Sequence, residues 1–418
     1  MNPEAFPARL SSHSPTGADD RRPVVLVLMG AHWPGSESTG PNLSLKELCR
    51  ALAGDFQFRL LARDRPFGAS QPAVTTGRWI DQGFADARYC AVSRTGAEDL
   101  RSILCETPHD LLWLNGFFDR EFTLPALVLR RLGRIPCKPT LLSPRGEMAA
   151  GALGLKAGRK SAWVAAARRT GLLADTWLHA TGPREYRDIA ARFPWSKGVI
   201  EAPNVRAMIV PQAATSNDHA GNGVCRLAFI GRIARVKNLD YALAALRGVI
   251  AKVSFDIYGP VSDPAYWVEC RQLIAALPAN VSVEHKGEIA NGDVPKVLAC
   301  TDMLFLPTKG ENFGHAIFEA LACGVPVLVS DQTPWQDLEA SCAGWSLPLT
   351  EVSGFSAAVD TFAAMTGSSR ASLARGARRL AERWHTSSEA IAKSRAMFRA
   401  VLGHTISASR PPGINANL

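Results

Sequence analysis

Two glutamates flank a predicted helix start in the second half of the chain. Glu311 and Glu319 follow a short apolar run over 302–307. Gly314 allows close approach of the backbone to a ligand, and a helix that begins near His315 would direct its unpaired N–H groups and its positive dipole end toward a bound phosphate. Because a carboxylate can accept hydrogen bonds from two neighbouring hydroxyls, this spacing suits a phosphate between a sugar and a ribose. An exposed glutamate and a helix N-terminal glutamate would give the same pattern.

A second loop, after the apolar run 226–230, carries cations. Arg232 and Lys237 flank this strand-to-helix loop, where two positive charges can neutralise a diphosphate as its negative charge grows. Asn238 is a residue type that caps helix N-termini, and Arg235 could replace either cation. A solvated surface loop would have a similar composition.

Glycines follow two further predicted strands of the same half. Gly259 comes after Tyr258, and Gly287 lies in the segment 285–288. Their positions suit backbone contacts to a nucleobase and a ribose, although glycine is common after strands.

The elements that must position these residues are short apolar runs that alternate with stretches of helical period, which is typical of βαβ units and parallel sheets. The first half has predicted strands over 24–29, 56–62, 110–115, 138–143 and 174–179, and predicted helices over 43–53, 121–132 and 183–193. The second half has predicted strands over 226–230, 253–258, 281–284, 302–307 and 325–330, and predicted helices over 238–250, 264–277, 293–300, 315–323 and within 370–402. Ligands bind at the carboxyl ends of such strands, so the loops with the motifs should converge.

This pattern predicts two Rossmann-like, doubly wound α/β domains. The expected organisation is a disordered tail over 1–22, a first domain over 23–206, a linker over 207–224, a second domain over 225–403 and a disordered tail over 404–418. The last helix of the second domain could pack back on the first.

Composition limits the class of protein. Apolar residues make up 47% and charged residues 20% of the 418, which is typical of a globular chain. The nine cysteines form no CxxC pair, so we expect neither a metal site nor a disulfide framework, and a cytoplasmic location. The sequence contains no apolar run of the roughly 20 residues that a membrane span needs.

The net charge of +9 is unevenly distributed. Residues 1–206 contain 28 basic and 20 acidic residues (+8), and residues 207–418 contain 19 and 18 (+1). We call the basic residues of 130–169 the basic patch; its members are Arg130, Arg131, Arg134, Lys138, Arg145, Lys156, Arg159, Lys160, Arg168 and Arg169. Such a patch would attract anionic lipid, phosphate-bearing acceptors or nucleic acid, and a merely solvated basic face is equally compatible.

Taken together, the second-half motifs resemble family 4 of the retaining glycosyltransferases, the glycosyl transferases group 1. The similarity rests on the order and spacing of the Gly-Arg…Lys loop, the Tyr-Gly-Pro turn at 258–260, the His-Lys-Gly-Glu stretch at 285–288, and Glu-x7-Glu followed by the segment 322–330. It covers about 225–345 and, more weakly, the first half. The resemblance implies a GT-B fold, in which two Rossmann-like parallel-sheet domains face each other across a cleft.

The resemblance also implies site roles in the second half. A nucleoside-diphosphate sugar, linked to UDP or GDP, would be the co-substrate, with no other cofactor and no bound metal. Its diphosphate would be held by Arg232 and Lys237, its ribose by Glu319 and a hydroxyl of the transferred sugar by Glu311. Further donor contacts would come from Phe313, Gly314, His315, Gly259 and Gly287. The sugar would be transferred with retained configuration, and the leaving phosphate would deprotonate the acceptor hydroxyl on the same face.

In the first half the resemblance places the acceptor site. Gly40 stands where relatives carry a glycine pair near the donor phosphates. Arg145 and Glu147 follow a predicted strand at a point where many relatives place a histidine, so an acceptor-side role and a structural turn both remain open. His179 and Asn204 match hinge-side segments and are expected to be architectural.

Three functions are compatible with these sequence features. The leading one is a glycosyltransferase of surface polysaccharide or lipopolysaccharide biosynthesis, with a glycan or lipid-linked acceptor, docked at the inner face of the plasma membrane through the basic patch. A GT-B sugar-nucleotide epimerase would need additional acid and base carboxylates. A nucleic-acid-binding protein would need interleaved basic and aromatic residues, so nucleic acid is not an expected partner.

Overall fold

The structure is a computed structural model, and it describes residues 21–33, 40–66, 71–74, 76–91, 99–148, 157–205, 223–385 and 388–408. The chain divides into two compact units. The first consists of Met1–Arg206 together with Ser388–Leu418, and the second of Ala207–Ser387.

The first unit is built on an eight-stranded sheet. Its strands are β1 (Val24–Leu28), β2 (Gln57–Arg63), β3 (Trp79–Asp81), β4 (Asp86–Cys90), β5 (Leu111–Asn115), β6 (Thr140–Ser143), β7 (Thr176–Ala180) and β8 (Gly198–Glu201). Its helices are α1 (Gly40–Ala51), α2 (Leu100–Glu106), α3 (Thr123–Arg131), α4 (Ala157–Arg169), α5 (Pro183–Arg192) and, from the end of the chain, α12 (Ser388–Ala408). The order is β3-β4-β2-β1-β5-β6-β7-β8, and all pairs are parallel except β3 with β4 at the edge.

The two central strands of this sheet are buried on both faces. All five residues of β1 are buried, as are those of β5, which is expected of a parallel sheet covered on both sides. Because side chains alternate along a strand, Val25 and Val27 join one apolar cluster, and Leu26 and Leu28 join another on the opposite face. The continuous apolar run at 24–28 therefore encodes a doubly covered strand.

Helix α12 packs on the first unit. The ring of Phe398 lies 5.4 Å from that of Phe56 and 5.2 Å from that of Trp113. Arg395 and Arg399 each form an ion pair of 2.8 Å with Asp55. The helix continues to Ala408, past residue 403, where the sequence predicted a disordered tail to begin.

The second unit is built on a six-stranded, all-parallel sheet. Its strands are β9 (Val224–Ile230), β10 (Lys252–Tyr258), β11 (Val281–Gly287), β12 (Met303–Leu306), β13 (Val327–Ser330) and β14 (Gly344–Leu347). Its helices are α6 (Leu239–Leu246), α7 (Pro264–Ala275), α8 (Val294–Ala299), α9 (His315–Ala322), α10 (Val352–Ala364) and α11 (Gly367–His385). The order β11-β10-β9-β12-β13-β14 is that of a dinucleotide-binding Rossmann sheet, with the strand order reversing between β9 and β12.

Several elements were not predicted from the sequence. In the first half these are β3, β4, α2, α4 and β8, and in the second half β14 and α10. The strands concerned have between three and five residues, and β4 alternates charged with apolar residues. These strands form because they pair with neighbouring strands in the sheet, although their local sequence does not have a strand pattern.

Candidate active site

The two motif-bearing loops of the second unit follow neighbouring strands, β9 and β12. Val236 of the first loop accepts hydrogen bonds from the backbone N–H of Lys309 at 2.8 Å and from the hydroxyl of Thr308 at 2.9 Å. The side-chain amide of Asn238 donates to the carbonyl of Pro307 at 2.9 Å. These bonds join the loops at the point of strand-order reversal, where ligands bind in such sheets.

Asn238 differs from the expectation in how it acts. It occupies the N-cap position of α6, but it has a φ of 61° and its side chain makes no capping bond. Asparagine tolerates this left-handed conformation better than most residues. The buried amide instead fixes the neighbouring loop, so Asn238 positions the site and does not cap the helix as predicted.

Lys237 and Glu311 meet directly across the two loops. The ammonium of Lys237 donates to the carboxylate of Glu311, and their side chains are only 20% and 12% exposed. The backbone N–H of Glu311 in turn donates to the carbonyl of Gln332 at 3.1 Å. A largely desolvated ion pair of this kind is a strong charge-assisted interaction, and it places the predicted diphosphate cation beside the predicted sugar-binding acid.

Helix α9 begins with His315, shortly after Glu311 in the chain. Gly314 is the N-cap, with a φ of 78° and no side-chain capping bond. A Cβ at this position would lie 2.8 Å from Cδ1 of Ile317, so both the backbone angle and the space require glycine. Glycine at the N-cap has no side chain that could occupy the first N–H groups of the helix, which are donors of the kind that bind anions.

An aromatic cluster supports the loop before α9. Phe313 is buried, and its ring lies 5.0 Å from that of His315, which is partly exposed. The indole N–H of Trp335 donates to the carbonyl of Phe313 at 2.6 Å. Trp384, near the end of α11, packs against Trp335 with 4.5 Å between ring centroids and the rings tilted by 32°. The backbone between Glu311 and His315 is thus held by packing as well as by hydrogen bonds.

Glu319 is buried, with an exposed fraction of 4%. It lies in the middle of α9, past the first turn that the helix N-terminal alternative assumed, and the side chain of Glu311 is only 12% exposed, so the exposed alternative does not describe Glu311. A carboxylate that is removed from water needs hydrogen-bond partners or a counter-charge. The burial of Glu319 therefore indicates that its carboxylate has polar contacts inside the fold.

Arg232 and Arg235 have different surroundings. Arg232 is exposed, and it forms no ion pair with any residue that the structure describes. Arg235 pairs with Glu269 of α7 at 2.6 Å and lies over the ring of Tyr266. The possibility that Arg235 substitutes for Arg232 or Lys237 is therefore not supported, because its guanidinium is already bound to α7.

The two glycines of the neighbouring loops differ in their constraints. A Cβ on Gly259 would lie 2.1 Å from the carbonyl oxygen of Gly231, and its φ is 139°. Gly287 has a φ of 81°, but a Cβ added there would meet no atom within 4 Å, and its carbonyl accepts from the N–H of Gly259 at 2.8 Å. Gly259 is therefore required for the close approach of the loops after β9 and β10, whatever else it binds.

In the first unit, Gly40 is the first residue of α1, while the preceding loop residues 34–39 lie outside the described residues. Glu147 accepts hydrogen bonds from the backbone N–H groups of Phe117 and Phe118. One of its carboxylate oxygens therefore holds the turn after β5, which matches the structural alternative that the sequence left open.

Arg145 is counted in the basic patch from the sequence, but its side chain is hydrogen-bonded within the first unit and is not one of the exposed cations. Its guanidinium donates to the side-chain oxygens of Asn115, at 2.8 and 3.0 Å, and Asn204, at 3.2 Å. Burial is the main cause that lowers the pKa of Arg145 to about 10.

His179 is a buried neutral histidine. Its Nε2 donates to the carbonyl of Ala202 at 2.8 Å, so Nδ1 accepts from the hydroxyl of Ser143 at 2.8 Å. The indole of Trp113 donates to the same hydroxyl at 2.8 Å. Burial, with the charge of Arg145 as a second cause, lowers the pKa of His179 to about 4. This network is architectural, as expected from the sequence.

The basic patch is only partly described. Arg131 and Arg134 are exposed, and the guanidinium of Arg131 donates to the carbonyl of Thr170 at 3.1 Å, which brings the ends of α3 and α4 together. Lys156 lies outside the described residues, as do the side chains of Arg159 and Lys160.

Sequence reasoning missed Thr308, Gln332 and Trp335 as parts of the site. Thr308 and Gln332 follow β12 and β13, so the rule that ligands meet the carboxyl ends of strands could have found them. Trp335 carried no such signal, because its role depends on the tertiary contact with Phe313.

Metal ligands and membrane-spanning helices are both absent from the described ranges. These ranges contain no group of three His, Cys, Asp or Glu side chains arranged to hold a metal ion. None of the helices in the same ranges is both long and apolar enough to cross a bilayer.

Comparison with known proteins identifies a matching sequence family and solved structures with a similar fold. Residues 222–379 match the family described as glycosyl transferases group 1. A sucrose-phosphate synthase from Thermosynechococcus elongatus has a similar structure, with a TM-score of 0.67 and 16% identity, covering 93% of this chain and 100% of that chain. The Anabaena protein Alr3699/HepE, solved in complex with UDP and glucose, has a TM-score of 0.65 and 15% identity over the same shares.

A curated relative is similar over a shorter stretch. An uncharacterized 41.2 kDa protein in the cps region of Klebsiella pneumoniae is 27% identical over 107 residues, which are 25% of this chain and 27% of that protein. The chain thus matches about a quarter of the length of this relative. These comparisons confirm the predicted GT-B architecture and the resemblance to group 1: the chain has the fold of known GT-B glycosyltransferases, and its second unit carries the sequence features of glycosyl transferases group 1.

Proposed function

We propose that the protein is a retaining glycosyltransferase that moves a sugar from a UDP- or GDP-linked donor to a glycan or lipid-linked acceptor. The observation that carries the proposal is the contact of Lys237 with Glu311 at the strand-order reversal, on the loop that leads into the start of α9. Cation, acid and helix dipole are the three groups that a sugar diphosphate needs.

The donor diphosphate would bind between the helix start and the 231–238 loop. Lys237 and Arg232 would supply positive charge, and the N–H groups at His315 would donate to phosphate oxygens. This charge is fixed before the reaction, so it favours departure of the nucleoside diphosphate as negative charge develops on it. No metal ion is required in this arrangement.

The sugar and ribose would lie on either side of the diphosphate. Glu311 would accept a hydrogen bond from a hydroxyl of the transferred sugar, and Glu319 from the ribose. Phe313, Gly314 and His315 would contact the sugar and phosphate, and Gly259 and Gly287 the nucleoside. The leaving phosphate would take the proton of the acceptor hydroxyl on the face from which it departs, so configuration is retained.

The setting we propose is surface polysaccharide or lipopolysaccharide biosynthesis, at the cytoplasmic side of a membrane. A sequence relative that belongs to a cps region supports the polysaccharide setting, and a structural relative that binds UDP and glucose supports the nucleotide-sugar donor. The exposed cations at the ends of α3 and α4 would provide electrostatic attraction to anionic lipid, which salt should weaken.

The test is a transfer assay with labelled UDP- and GDP-sugars and a panel of glycan and lipid-linked acceptors. We expect acceptor-dependent release of the nucleoside diphosphate, and a product whose anomeric proton coupling shows the configuration of the donor. Conversion of the donor sugar to its epimer without acceptor would replace the proposal with an epimerase.

A further inference from the structure

The direct partners of Arg145 are neutral. Nε and Nη2 both donate to Oδ1 of Asn115, and Nη1 donates to Oδ1 of Asn204. The guanidinium also lies 5.4 Å from the ring centroid of Trp113. Since a guanidinium has five N–H groups, one on each terminal nitrogen is left over by these bonds.

The ionisable groups near Arg145 do not form an ion pair with it. Glu185 is the carboxylate whose field favours the charged form of Arg145, but its two oxygens already accept hydrogen bonds from Gly146 and from Thr181. Burial raises the pKa of the Cys49 thiol, which keeps it neutral. His179 is neutral as well, for the reasons given above. Arg145 is therefore a largely desolvated positive charge that forms no ion pair with any residue the structure describes, which is unfavourable in a folded protein.

The position of Arg145 indicates which kind of group could compensate for its desolvated charge. It follows β6 at the carboxyl edge of the sheet, where ligands of such sheets bind. Its φ of 54° lies in the left-handed region, and strained residues of this kind are concentrated at functional sites. Charge, strain and position all favour a ligand contact over a purely structural role.

We propose that Arg145 is the receptor for an oxyanion of the acceptor, so that the acceptor carries a phosphate or a carboxylate. Asn115 and Asn204 hold the guanidinium plane, and the two remaining N–H groups donate to the anion. The inference rests on the proposed function in one respect, since it takes the first unit as the acceptor side. It adds the chemical class of the acceptor.

The experiment measures protection against thermal unfolding by inorganic phosphate, glucuronate and glucose at constant ionic strength. For the wild type we expect protection by at least one of the two anions and not by glucose. Protection by phosphate would indicate a phosphate on the acceptor, and protection by glucuronate would indicate a carboxylate. Arg145→Gln should weaken binding of that anion by about 10- to 100-fold, the effect of losing a hydrogen bond to a charged group. Arg187→Gln on α5 removes an exposed positive charge from the same unit and should leave binding unchanged.

A second variant keeps the test decisive if Arg145→Gln folds poorly. Asn115→Asp has nearly the same shape but places a carboxylate on the guanidinium, so it should raise the melting temperature without ligand and weaken anion binding. The inference is overturned if neither anion protects the wild type, or if both substitutions leave protection unchanged. A protective effect of UDP or GDP that persists in Arg145→Gln shows that the donor site is intact, so a failure here is separable from a failure of the proposed function.

Discussion

Substitutions of Lys237 and Glu311 should affect nucleotide binding in opposite directions. In the structure the carboxylate of Glu311 holds the ammonium that the diphosphate is proposed to use. Lys237→Gln removes a charge-assisted hydrogen bond worth about 1.5–3 kcal/mol, so UDP or GDP should bind about 10- to 150-fold more weakly.

Glu311→Gln removes the competitor for the same cation. At the lower end of the range for a charge-assisted hydrogen bond, about 1.5 kcal/mol, release of Lys237 from Glu311 corresponds to about tenfold tighter binding of the nucleoside diphosphate without sugar. Turnover of the full donor should nevertheless fall, because the contact with the sugar hydroxyl is weakened. The predicted result is therefore tighter product binding with slower transfer.

The assay is calorimetric titration with UDP and GDP, followed by transfer rates with the matching sugar donor. Lys309→Gln is the matched control, since Lys309 is an exposed lysine of the neighbouring loop that carries Glu311, and its loss changes the net charge as much as Lys237→Gln does. Equal weakening by Lys237→Gln and Lys309→Gln would show a general charge effect and refute the specific pairing of Lys237 with the diphosphate, and weaker binding by Glu311→Gln would refute the competition for this lysine.

Further predictions concern stability. Gly259→Ala should lower the free energy of unfolding by about 3 kcal/mol, since it combines an unfavourable φ with overlap on Gly231, whereas Gly287→Ala should cost about 1 kcal/mol; urea unfolding of both variants checks this. His179 stabilises the fold in its neutral form, since its folded pKa of about 4 lies below the value of 6.5 for the free side chain. This contribution is present above pH 6.5 and is lost toward pH 4, so His179→Gln should flatten the pH dependence of stability in this interval by up to about 3 kcal/mol. Phe398→Ala should cost about 3–5 kcal/mol, because it leaves a cavity among buried rings of the first unit.

Much of the second unit could be predicted from its sequence because its strands are continuous apolar runs and its loops carry glycine and charge. The segment around β12 and α9 is an example: the predicted strand at 302–307 and helix at 315–323 agree closely with the structure. The βαβ alternation predicts a parallel sheet whose loops converge at the carboxyl ends of the strands, whereas the pairing of β9 with β12, which places the loops at 231–238 and 307–314 next to each other, is seen only in the structure.

Partners of individual side chains could not be predicted. Arg235 and Arg232 are both arginines of one loop, yet only Arg235 is bound by Glu269 of α7 among the described residues. Because these two residues are distant in sequence, the contact could not be predicted. Asn238 has a capping residue type, but the carbonyl of Pro307 is a partner that only the tertiary structure provides. In the first unit, Glu147 follows a strand as a ligand-binding residue would, and one of its oxygens instead holds the turn after β5.

The central claim is that a sugar diphosphate lies between the start of α9 and Lys237. A crystal structure with the nucleotide that raises the melting temperature most tests this directly. We expect a phosphate oxygen about 3 Å from Nζ of Lys237 and from an N–H group of the first turn of α9. A nucleotide bound elsewhere, with Lys237 still on Glu311, would contradict the claim.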